Sequence, residues 1–531
     1  MEAEVPLVAR EVGEGDADLA AALAARIGAD RVSIAAADRE AHARDLWPLS
    51  LLWLREGKIP PPPALVCRPR STAEVAEVVR FAGERRIPLV PHGAGSGVCG
   101  GTIHLRGGIA IDLRAMDRVR TIDRDAMAIE VEAGALGWPL EQRLAAQGLT
   151  LGHYPSSIAL STVGGWIAAC GAGQSSARYG KIEDLVLGLE VVLGTGEHLR
   201  LERPVRGSDL VELFLGSEGT LGVITAACLR LFDAPETCIP RAFRFPTLPT
   251  ALAAMEAIFH EGLRPSVARL HDPVDTWIAL GQADGDRAAS IPPPDRDALR
   301  TLQERSPIGT PPAHERLERN AKAAGLRAIL GMPVAVNAAS SLLRACLLVL
   351  VHEGRGAETR AEARRVASIC LSHGARDLGA GPAARWLRRR WAVSYELPRI
   401  FDAGAWVDTC EVATSWGRVE ALYRAIRRAV RPHAFASAHF SHAWPDGCSI
   451  YFTFAGAAPT PAQGRRRYEA TWRAALDACV AAGATITHHH GVGLLKARWL
   501  REELGPGGTR LFAAAKRACD PLGILNPGKL A

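Results

Sequence analysis

The chain has 531 residues, too many for a single hydrophobic core, so its length predicts two or three domains. Hydrophobic residues make up 48% and charged residues 23% of the sequence, as is usual for soluble globular proteins. The net charge of +6 is small for this length. It suits anionic small molecules or a membrane surface and argues against a nucleic-acid partner.

Eleven cysteines are scattered without a Cys-x-x-Cys pair, which argues against a zinc ribbon or a disulfide framework and favours a reducing compartment. The opening stretch "MEAEVPLVAREVGEGDADLA" carries acids where a signal peptide needs positive charge. No segment approaches the ~20 apolar residues of a spanning helix. We therefore expect a cytoplasmic protein.

The first predicted domains follow from the pattern of apolar residues. Residues 1–61 predict an N-terminal helical region, which a proline run ends. Residues 62–235 alternate short strands and helices, beginning with the helix "STAEVAEVVRFAGERR" capped by Ser71. "IPLVPHG" and "GIAIDL" predict buried strands, and "AIEVEAGALGWPLEQRLAAQG" predicts a strand, a turn and a helix. "DLVLGLEVVLGTGEHLRL" predicts a hairpin that turns at Gly194 to Gly196.

The remaining two regions carry longer elements. Residues 236–455 predict an α+β domain that includes the buried strand "LLRACLLVLV" and a polar, proline-rich surface insertion over residues 281–320. In this domain the basic run "RWLRRRW", residues 385–391, predicts a solvated helix face or a contact with anionic head groups. Residues 456–531 predict a C-terminal segment with two helices and, between them, a short strand that enters "THHHGVG".

The first glycine-rich segment, "PHGAGSGVCGG", spells GxGxxG through Gly95, Gly97 and Gly100. A nicotinamide-dinucleotide site would need a helix next, but the strand-like "TIHLRGGIAIDL" follows, and no Lys-Ser/Thr pair marks a P-loop. Two interpretations remain, a plain tight turn or a nest of backbone N–H groups that binds a diphosphate.

Two further glycine-rich segments favour the second interpretation. They are "YPSSIALSTVGGWIAACGAGQSSARYGKIEDLV" and "GSEGTLGVIT". Glycine at this density costs chain entropy and is retained where backbone lies against a flat or charged ligand. Three such segments in one domain predict a large cofactor with a diphosphate and a planar ring system.

In order and content these segments resemble the FAD-binding domain of the vanillyl-alcohol oxidase superfamily, from about residue 62 to the C-terminus. The resemblance implies an α+β fold in which a two-subdomain PCMH-type FAD-binding domain carries an α+β cap, or substrate, domain and a C-terminal segment that returns to the flavin. It implies FAD that is bound non-covalently, because Ser96 stands where some members attach flavin to a histidine. His92 is the alternative attachment site. The implied cofactor-binding residues are Pro91, His92, Gly93, Ala94, Gly95, Ser96, Gly97, Pro155, Ser156, Ser157, Ser161, Thr162, Gly164, Gly165, Ala169, Cys170, Gly171, Ala172, Gly173, Tyr179, Gly180, Glu218, Gly219, Gly222, Val223 and Ile224.

Within the superfamily, "THHHGVG" together with "STVGGW", "YGKIEDLV" and "IYFTF" resembles the alkylglycerone-phosphate synthases, which exchange the acyl group of an acylated dihydroxyacetone phosphate for a fatty alcohol. The resemblance assigns catalysis to Tyr451, His488, His489 and His490, and phosphate binding to Arg269. Tyr451, helped by the histidines, would remove a proton from the carbon beside the ketone. Flavin N5 would hold the substrate while the acid leaves and the alcohol enters.

Two other stretches, "GAGSGVCGG" and the tail "DPLGILNPGKL", resemble a different group of flavoenzymes. These enzymes oxidise 2-hydroxy acids, as glycolate oxidase and D-lactate dehydrogenase do. Cys170 also stands where the lipid enzymes carry an arginine. The alternative function is therefore an FAD-dependent oxidase or dehydrogenase of a 2-hydroxy acid or alcohol, with hydride transfer to flavin N5. A flavin-binding protein without turnover is a third reading. We expect a small-molecule substrate and leave open a lipid phosphate, peripheral membrane contact and a homodimer.

The residues themselves leave alternatives. "ATITHHHG" predicts a strand, so His488 and His490 would share one face and His489 would point to the other. The cluster could pack, bind zinc or transfer protons, and we expect no metal because no Cys, Asp or Glu ligand is close in sequence. Tyr451 could be a half-buried strand aromatic. Arg269 could form a salt bridge to Asp272, and its fork suits phosphate and carboxylate equally.

Overall fold

The computed structural model describes residues 14–204, 207–281, 323–391, 400–401 and 403–530. The predicted surface insertion lies almost entirely outside them. The strands are β1 Val32–Ser33, β2 Leu65–Cys67, β3 Leu89–His92, β4 Ile109–Asp112, β5 Val119–Asp123, β6 Ala128–Glu132, β7 Leu149–Thr150, β8 Val186–Leu193, β9 His198–Glu202, β10 Gly222–Arg230, β11 Phe232–Asp233, β12 Thr237–Phe245, β13 Val267–His271, β14 Cys346–Gly354, β15 Arg376–Asp377, β16 Ala405–Ser415, β17 Phe435–Ala443 and β18 Gly447–Ala457.

Helices connect these strands and cover the sheets. They span Glu14–Ile27, Ala36–Ala41, Pro48–Arg55, Thr72–Arg85, Gly137–Ala145, Val163–Ala168, Ser176–Tyr179, Ile182–Leu185, Leu248–His260, Pro273–Gly281, Ala323–Gly331, Pro333–Ser340, Gly356–Ser372, Gly381–Arg389, Trp416–Val430, Pro461–Ala481 and Ala497–Cys519. Within the described residues no single helix is long and apolar enough to cross a membrane. The pair Ala323–Gly331 and Pro333–Ser340 passes that test only jointly, across an 84° bend.

The N-terminal half contains two principal sheets. One has the order β1-β2-β4-β3, in which β2 and β3 both run parallel to β4, and the other has the order β5-β6-β10-β8-β9. The helix between β2 and β3 begins where predicted, because the Ser71 hydroxyl accepts a hydrogen bond from the Glu74 N–H at 3.2 Å. The predicted hairpin is β8–β9, with Gly196 at a φ of 79° in its turn.

The C-terminal half is built on a seven-stranded antiparallel sheet of order β15-β12-β14-β13-β17-β18-β16. The predicted apolar strand is β14, at the centre of the β12-β14-β13 group. The helix Pro461–Ala481 packs Tyr468 and Trp472 into the core of this sheet. The chain then returns to the first glycine segment, where the Leu494 N–H donates to the Cys99 carbonyl at 2.9 Å. The predicted α+β fold with a returning C-terminal segment is confirmed.

Candidate active site

A cavity of about 930 Å³ lies between the three glycine-rich segments and the seven-stranded sheet. Most of the predicted cofactor residues form its wall at one end. They are residues 91–97, 155–157, 161, 162, 164, 165, 169, 171, 172, 218, 219, 222 and 224. The three glycine-rich segments that the sequence assigns to one cofactor therefore meet in space, although they extend from Pro91 to Ile224 in the chain.

Five predicted cofactor residues do not line the cavity, namely Cys170, Gly173, Tyr179, Gly180 and Val223. Val223 lies in strand β10, where successive residues face opposite sides of the sheet. Its two neighbours in the chain line the cavity, and its own side chain therefore enters the core. The Cys170 thiol donates to the Glu183 carboxylate. Their roles in cofactor binding stay predictions.

The packing of the glycine segments fits a large planar cofactor with a diphosphate. A Cβ on Gly93 would lie 2.5 Å from Thr162 Oγ1, and one on Gly219, whose φ is 71°, would lie 2.8 Å from Pro91 Cγ. At both positions the bare backbone of one segment lies directly against a side chain of another, which a residue larger than glycine would prevent. Such a surface can hold the diphosphate and rings of FAD.

His92 lies in this wall with a constrained imidazole. Its ring meets that of His42 edge-on at 4.7 Å, and His42 Nε2 lies 3.3 Å from the Asp112 carboxylate. Burial lowers the pKa of His92 to about 3, so the ring is neutral. Ser96 also lines the cavity and offers no ring nitrogen to a flavin.

At the other end of the cavity, four side chains form one row across the seven-stranded sheet. His271 in β13 pairs with His439 in β17, His439 pairs with Tyr451 in β18, and Tyr451 pairs with Glu411 in β16. Directly opposed residues point to the same face, so all four lie on the cavity side of the sheet. The sequence indicated only Tyr451 as a catalytic residue of this row. The other three residues lie apart from it in the chain, and only the pairing of the strands brings them together.

Tyr451 is held on two sides within this row. Its hydroxyl donates to Thr409 Oγ1 at 3.0 Å, and its ring stacks on His439 at 4.7 Å between centroids. The rings of His489 and His490 lie 5.9 and 5.4 Å away. Burial raises the pKa of Tyr451 to about 12, so the phenol is protonated at neutral pH and needs a neighbouring acceptor before it can remove a proton.

The predicted strand through the three histidines is wrong. The backbone N–H groups of His488, His489 and His490 all donate to Glu411 Oε1, at 3.2, 3.2 and 2.8 Å, and the Thr487 hydroxyl donates to the same oxygen at 2.8 Å. Successive N–H groups of a strand point in opposite directions, so they cannot converge on one acceptor. The segment is a loop folded around a carboxylate from β16.

This loop places the three imidazoles differently from the predicted alternation. His489 and His490 line the cavity together. His488 turns away and packs at 4.7 Å from Trp444. Burial lowers the pKa of His489 well below its usual range, so the His489 ring is neutral. Among the described residues no group of three or more His, Cys, Asp or Glu side chains could hold a metal ion.

Lys496 completes the support of the loop, and sequence reasoning missed both it and Glu411. Lys496 Nζ lies 2.8 Å from Glu411 Oε2, and His490 Nδ1 lies 3.3 Å from the same oxygen. Burial alone would raise the pKa of Glu411, but the charges of His490 and Lys496 outweigh it and hold that pKa well below its usual range. A lone lysine in the apolar stretch "VGLLKARWL" was the available signal for a buried ion pair.

Arg269 faces the cavity, and the alternative salt bridge to Asp272 does not form. Asp272 instead accepts from the Tyr423 hydroxyl at 2.8 Å and from the Ala438 N–H at 3.0 Å. Arg269 Nη2 lies 3.0 Å from His439 Nδ1, and Arg269 Nε is buried without a hydrogen-bond partner in the described part of the chain. A buried guanidinium with an unused donor is suited to an anionic ligand.

The basic run extends this cationic wall. The helix Gly381–Arg389 places Arg385, Trp386 and Arg389 against the cavity, where all three are partly buried. The prediction of a solvated helix face is therefore wrong for these residues. The apolar side of the helix, with Ala383 and Trp386, packs on strands β12 and β14.

Known proteins match this arrangement over most of the chain. Residues 63–202 match the family described as FAD binding domain, and residues 241–530 match the family described as FAD linked oxidases, C-terminal domain. The alkyldihydroxyacetonephosphate synthase of Dictyostelium discoideum is 27% identical over 493 residues, which are 90% of this chain and 75% of that protein. The glycolate oxidase subunit GlcD of Bacillus subtilis is 28% identical over 475 residues, covering 88% of this chain and 89% of that protein.

A solved structure of an alkyldihydroxyacetonephosphate synthase has the same fold. It superposes with a TM-score of 0.74 at 25% identity and covers 99% of this chain and 86% of its own. The second family match alone spans more than half of the chain. The predictions of an FAD cofactor, a small-molecule substrate and an enzyme are confirmed, and the chain belongs to the family of FAD-linked oxidases.

Proposed function

We propose that this protein catalyses the alkylglycerone-phosphate synthase reaction, in which a fatty alcohol replaces the acyl group of an acylated dihydroxyacetone phosphate. One observation carries the proposal. Besides the glycine segments and Tyr451, the cavity wall includes the large apolar side chains of Leu326, Leu330 and Phe401. Burial of each methylene of an alkyl chain against them would contribute roughly 0.8 kcal/mol. A short 2-hydroxy acid gives no reason for such apolar lining.

The proposed proton transfer begins at Tyr451. Its protonated phenol must pass its proton to an acceptor as it takes the proton from the substrate carbon beside the ketone. His489 is the neutral imidazole beside it, and His490 is linked to the Glu411 carboxylate. Arg269, with its unused Nε, would hold the substrate phosphate. FAD, when bound, supplies a ring that can accept carbon in an exchange or hydride in an oxidation.

A lipid substrate would reach this cavity most directly from a membrane surface. The helices Pro273–Gly281 and Ala323–Gly331 both contribute side chains to the cavity wall and also expose large apolar side chains. Trp277 is 66% exposed and Ile329 is 53% exposed. Peripheral membrane contact by these helices is therefore part of the proposal, and sedimentation with lipid vesicles tests it.

A second candidate function is oxidation of a 2-hydroxy acid. Arg269 favours it as much as the first, because a guanidinium binds carboxylate and phosphate alike. The glycolate oxidase subunit of Bacillus subtilis matches over a larger share of its own length than the synthase does.

Anaerobic mixing of the FAD-loaded protein with each substrate class separates the two candidates. An acylated dihydroxyacetone phosphate and a long-chain alcohol should yield an ether and a free fatty acid, with the flavin oxidised at the end. Lasting bleaching of the flavin by glycolate or D-lactate, without ether formation in the first mixture, would replace the proposal with the second candidate.

A further inference from the structure

A second pair of titratable side chains lies in the cavity wall, outside the group formed by Tyr451 and the histidine loop. His271 ends strand β13, and Asp275 lies in the first turn of the helix Pro273–Gly281. His271 Nδ1 is 2.6 Å from Asp275 Oδ2, and both residues line the cavity. Asp272 fixes this junction, because its Oδ1 accepts from the N–H groups of Val274 and Asp275 at 2.9 and 2.7 Å.

The other ring nitrogen of His271, a residue of the cavity wall, is not used by the protein. His271 is 5% exposed, and its Nε2 is buried without a hydrogen-bond partner in the described part of the chain. When the Asp275 carboxylate accepts the Nδ1 proton, a neutral imidazole carries its lone pair on Nε2. A carboxylate that orients a histidine in this way, with the second nitrogen free, is the general arrangement of a proton-transfer pair.

The surroundings keep Asp275 ionised. Burial alone would raise the pKa of Asp275, but its interaction with His271 and the charge of Arg269 lower it below its usual value. His439 Nδ1 lies 3.9 Å from the same carboxylate oxygen. From the facing helix, Arg385 and Arg389 line the same cavity. The pair is therefore a carboxylate and an imidazole within a cationic wall.

His271 and Tyr451 are too far apart to exchange a proton with the same substrate atom. In the row across the sheet, His439 separates them, which corresponds to two strand spacings or roughly 10 Å. The exchange moves two protons, one from the substrate carbon and one from the hydroxyl of the incoming alcohol. These protons lie on different molecules and become acidic at different steps.

We propose that His271, oriented by Asp275, is the residue that accepts the hydroxyl proton of the incoming alcohol. The inference rests on the proposed function. The acid first leaves with the electron pair of its bond to the substrate carbon. The alcohol oxygen then bonds to that carbon as its O–H bond breaks, and the proton passes to His271 Nε2 and later to solvent. No oxidant or reductant is consumed.

The test compares His271→Ala, His271→Gln and Asp275→Asn with His352→Ala. His352 is a matched control, because it is 1% exposed and its Nδ1 lies 2.8 Å from Glu362 Oε1, but it does not line the cavity. Ether formation should fall by about 10²–10⁴-fold in the two His271 variants and remain in His352→Ala. Free imidazole should restore activity to His271→Ala.

A second measurement follows the other proton. Without alcohol, exchange of the substrate's carbon-bound hydrogen with deuterated water should persist in both His271 variants and be lost in Tyr451→Phe. Wild-type protein that makes no ether would refute the proposed function, whatever the variants do. Wild-type protein that makes ether, with unchanged rates in both His271 variants or with loss of carbon–hydrogen exchange alongside ether formation, would overturn the role of His271.

Discussion

Lys496 Nζ lies 2.8 Å from Glu411 Oε2, and both side chains are fully buried. The other oxygen of the same carboxylate receives three successive backbone N–H groups from the histidine loop. The ion pair therefore connects the last long helix, the edge strand β16 and the loop that carries His489. The position of the imidazoles at the cavity therefore depends on the Glu411 carboxylate, which belongs to strand β16 and not to the loop.

Lys496→Met should destabilise the protein by about 3–5 kcal/mol, because it leaves the Glu411 carboxylate buried without its ammonium partner. Urea unfolding at pH 7 measures the loss. The double variant Glu411→Gln/Lys496→Met should recover part of it. A loss below about 1 kcal/mol in the single variant would show that the pair does not support the fold.

The same pair has a defined pH dependence. The folded pKa of Glu411 is depressed, so its contribution is present above the unfolded value of about 4.3 and is lost as pH falls toward the folded pKa. The stability difference between wild type and Glu411→Gln should therefore be constant from about pH 5.5 to 8 and shrink in more acidic solution. A difference that changes across the neutral range would contradict the assigned charge state.

Tyr451→Phe should keep FAD and the fold but lose about 10²–10⁴-fold in turnover, because it removes the proton-carrying hydroxyl and little volume. Tyr468→Phe is the matched control. Tyr468 is also a buried tyrosine, but it does not line the cavity, and its hydroxyl donates to Asp408 at 2.5 Å. It should lose stability and keep turnover. Equal turnover in the two variants would remove Tyr451 from the chemistry.

Much of the fold was predictable because local signals agreed with the final packing. The Ser71 cap, the turn before β9 and the apolar run of β14 each specify an element within a few residues. The glycine segments were predictable for a similar reason, because bare backbone at this density has few uses.

The support of the active site was not predictable in the same way. Glu411 is one acid in an ordinary strand, and its partners lie 76 to 85 residues away. The strand pattern that ends in "ATIT" continues toward the histidines, but the carboxylate of β16 attracts three N–H groups and bends the chain. A tertiary contact therefore overrode the local preference. The pairing of His271 with His439 joins strands 168 residues apart and leaves no local signal.

Gly219→Val should abolish flavin binding, whereas Gly331→Val should not. The φ of 71° at Gly219 strains any β-branched residue, and a Cβ there would press on Pro91 in the first glycine segment. A Cβ on Gly331 would meet nothing within 4 Å. The measurement is the ratio of flavin absorbance to protein in the two purified variants. Equal ratios would count against the assigned flavin site.

Denaturation should release the bound FAD. The Ser96 side chain has no nitrogen with which to attach a flavin, and the ring of His92, in the cavity wall, packs edge-on against His42. Acid precipitation should therefore give a colourless pellet and a yellow supernatant. A pellet that stays yellow would show covalent attachment, and its loss in His92→Ala would identify the attached residue.

His489→Ala and His490→Ala should each retain FAD and lose turnover, since both imidazoles line the cavity beside Tyr451. If the three side chains act as one proton-transfer unit, adding Tyr451→Phe to either variant should cost much less than the product of the single effects. His488→Ala should lose less, because His488 packs against Trp444 outside the cavity wall. Chelators should leave turnover unchanged. Activity that disappears with a chelator and returns with zinc would instead make the histidine loop a set of metal ligands.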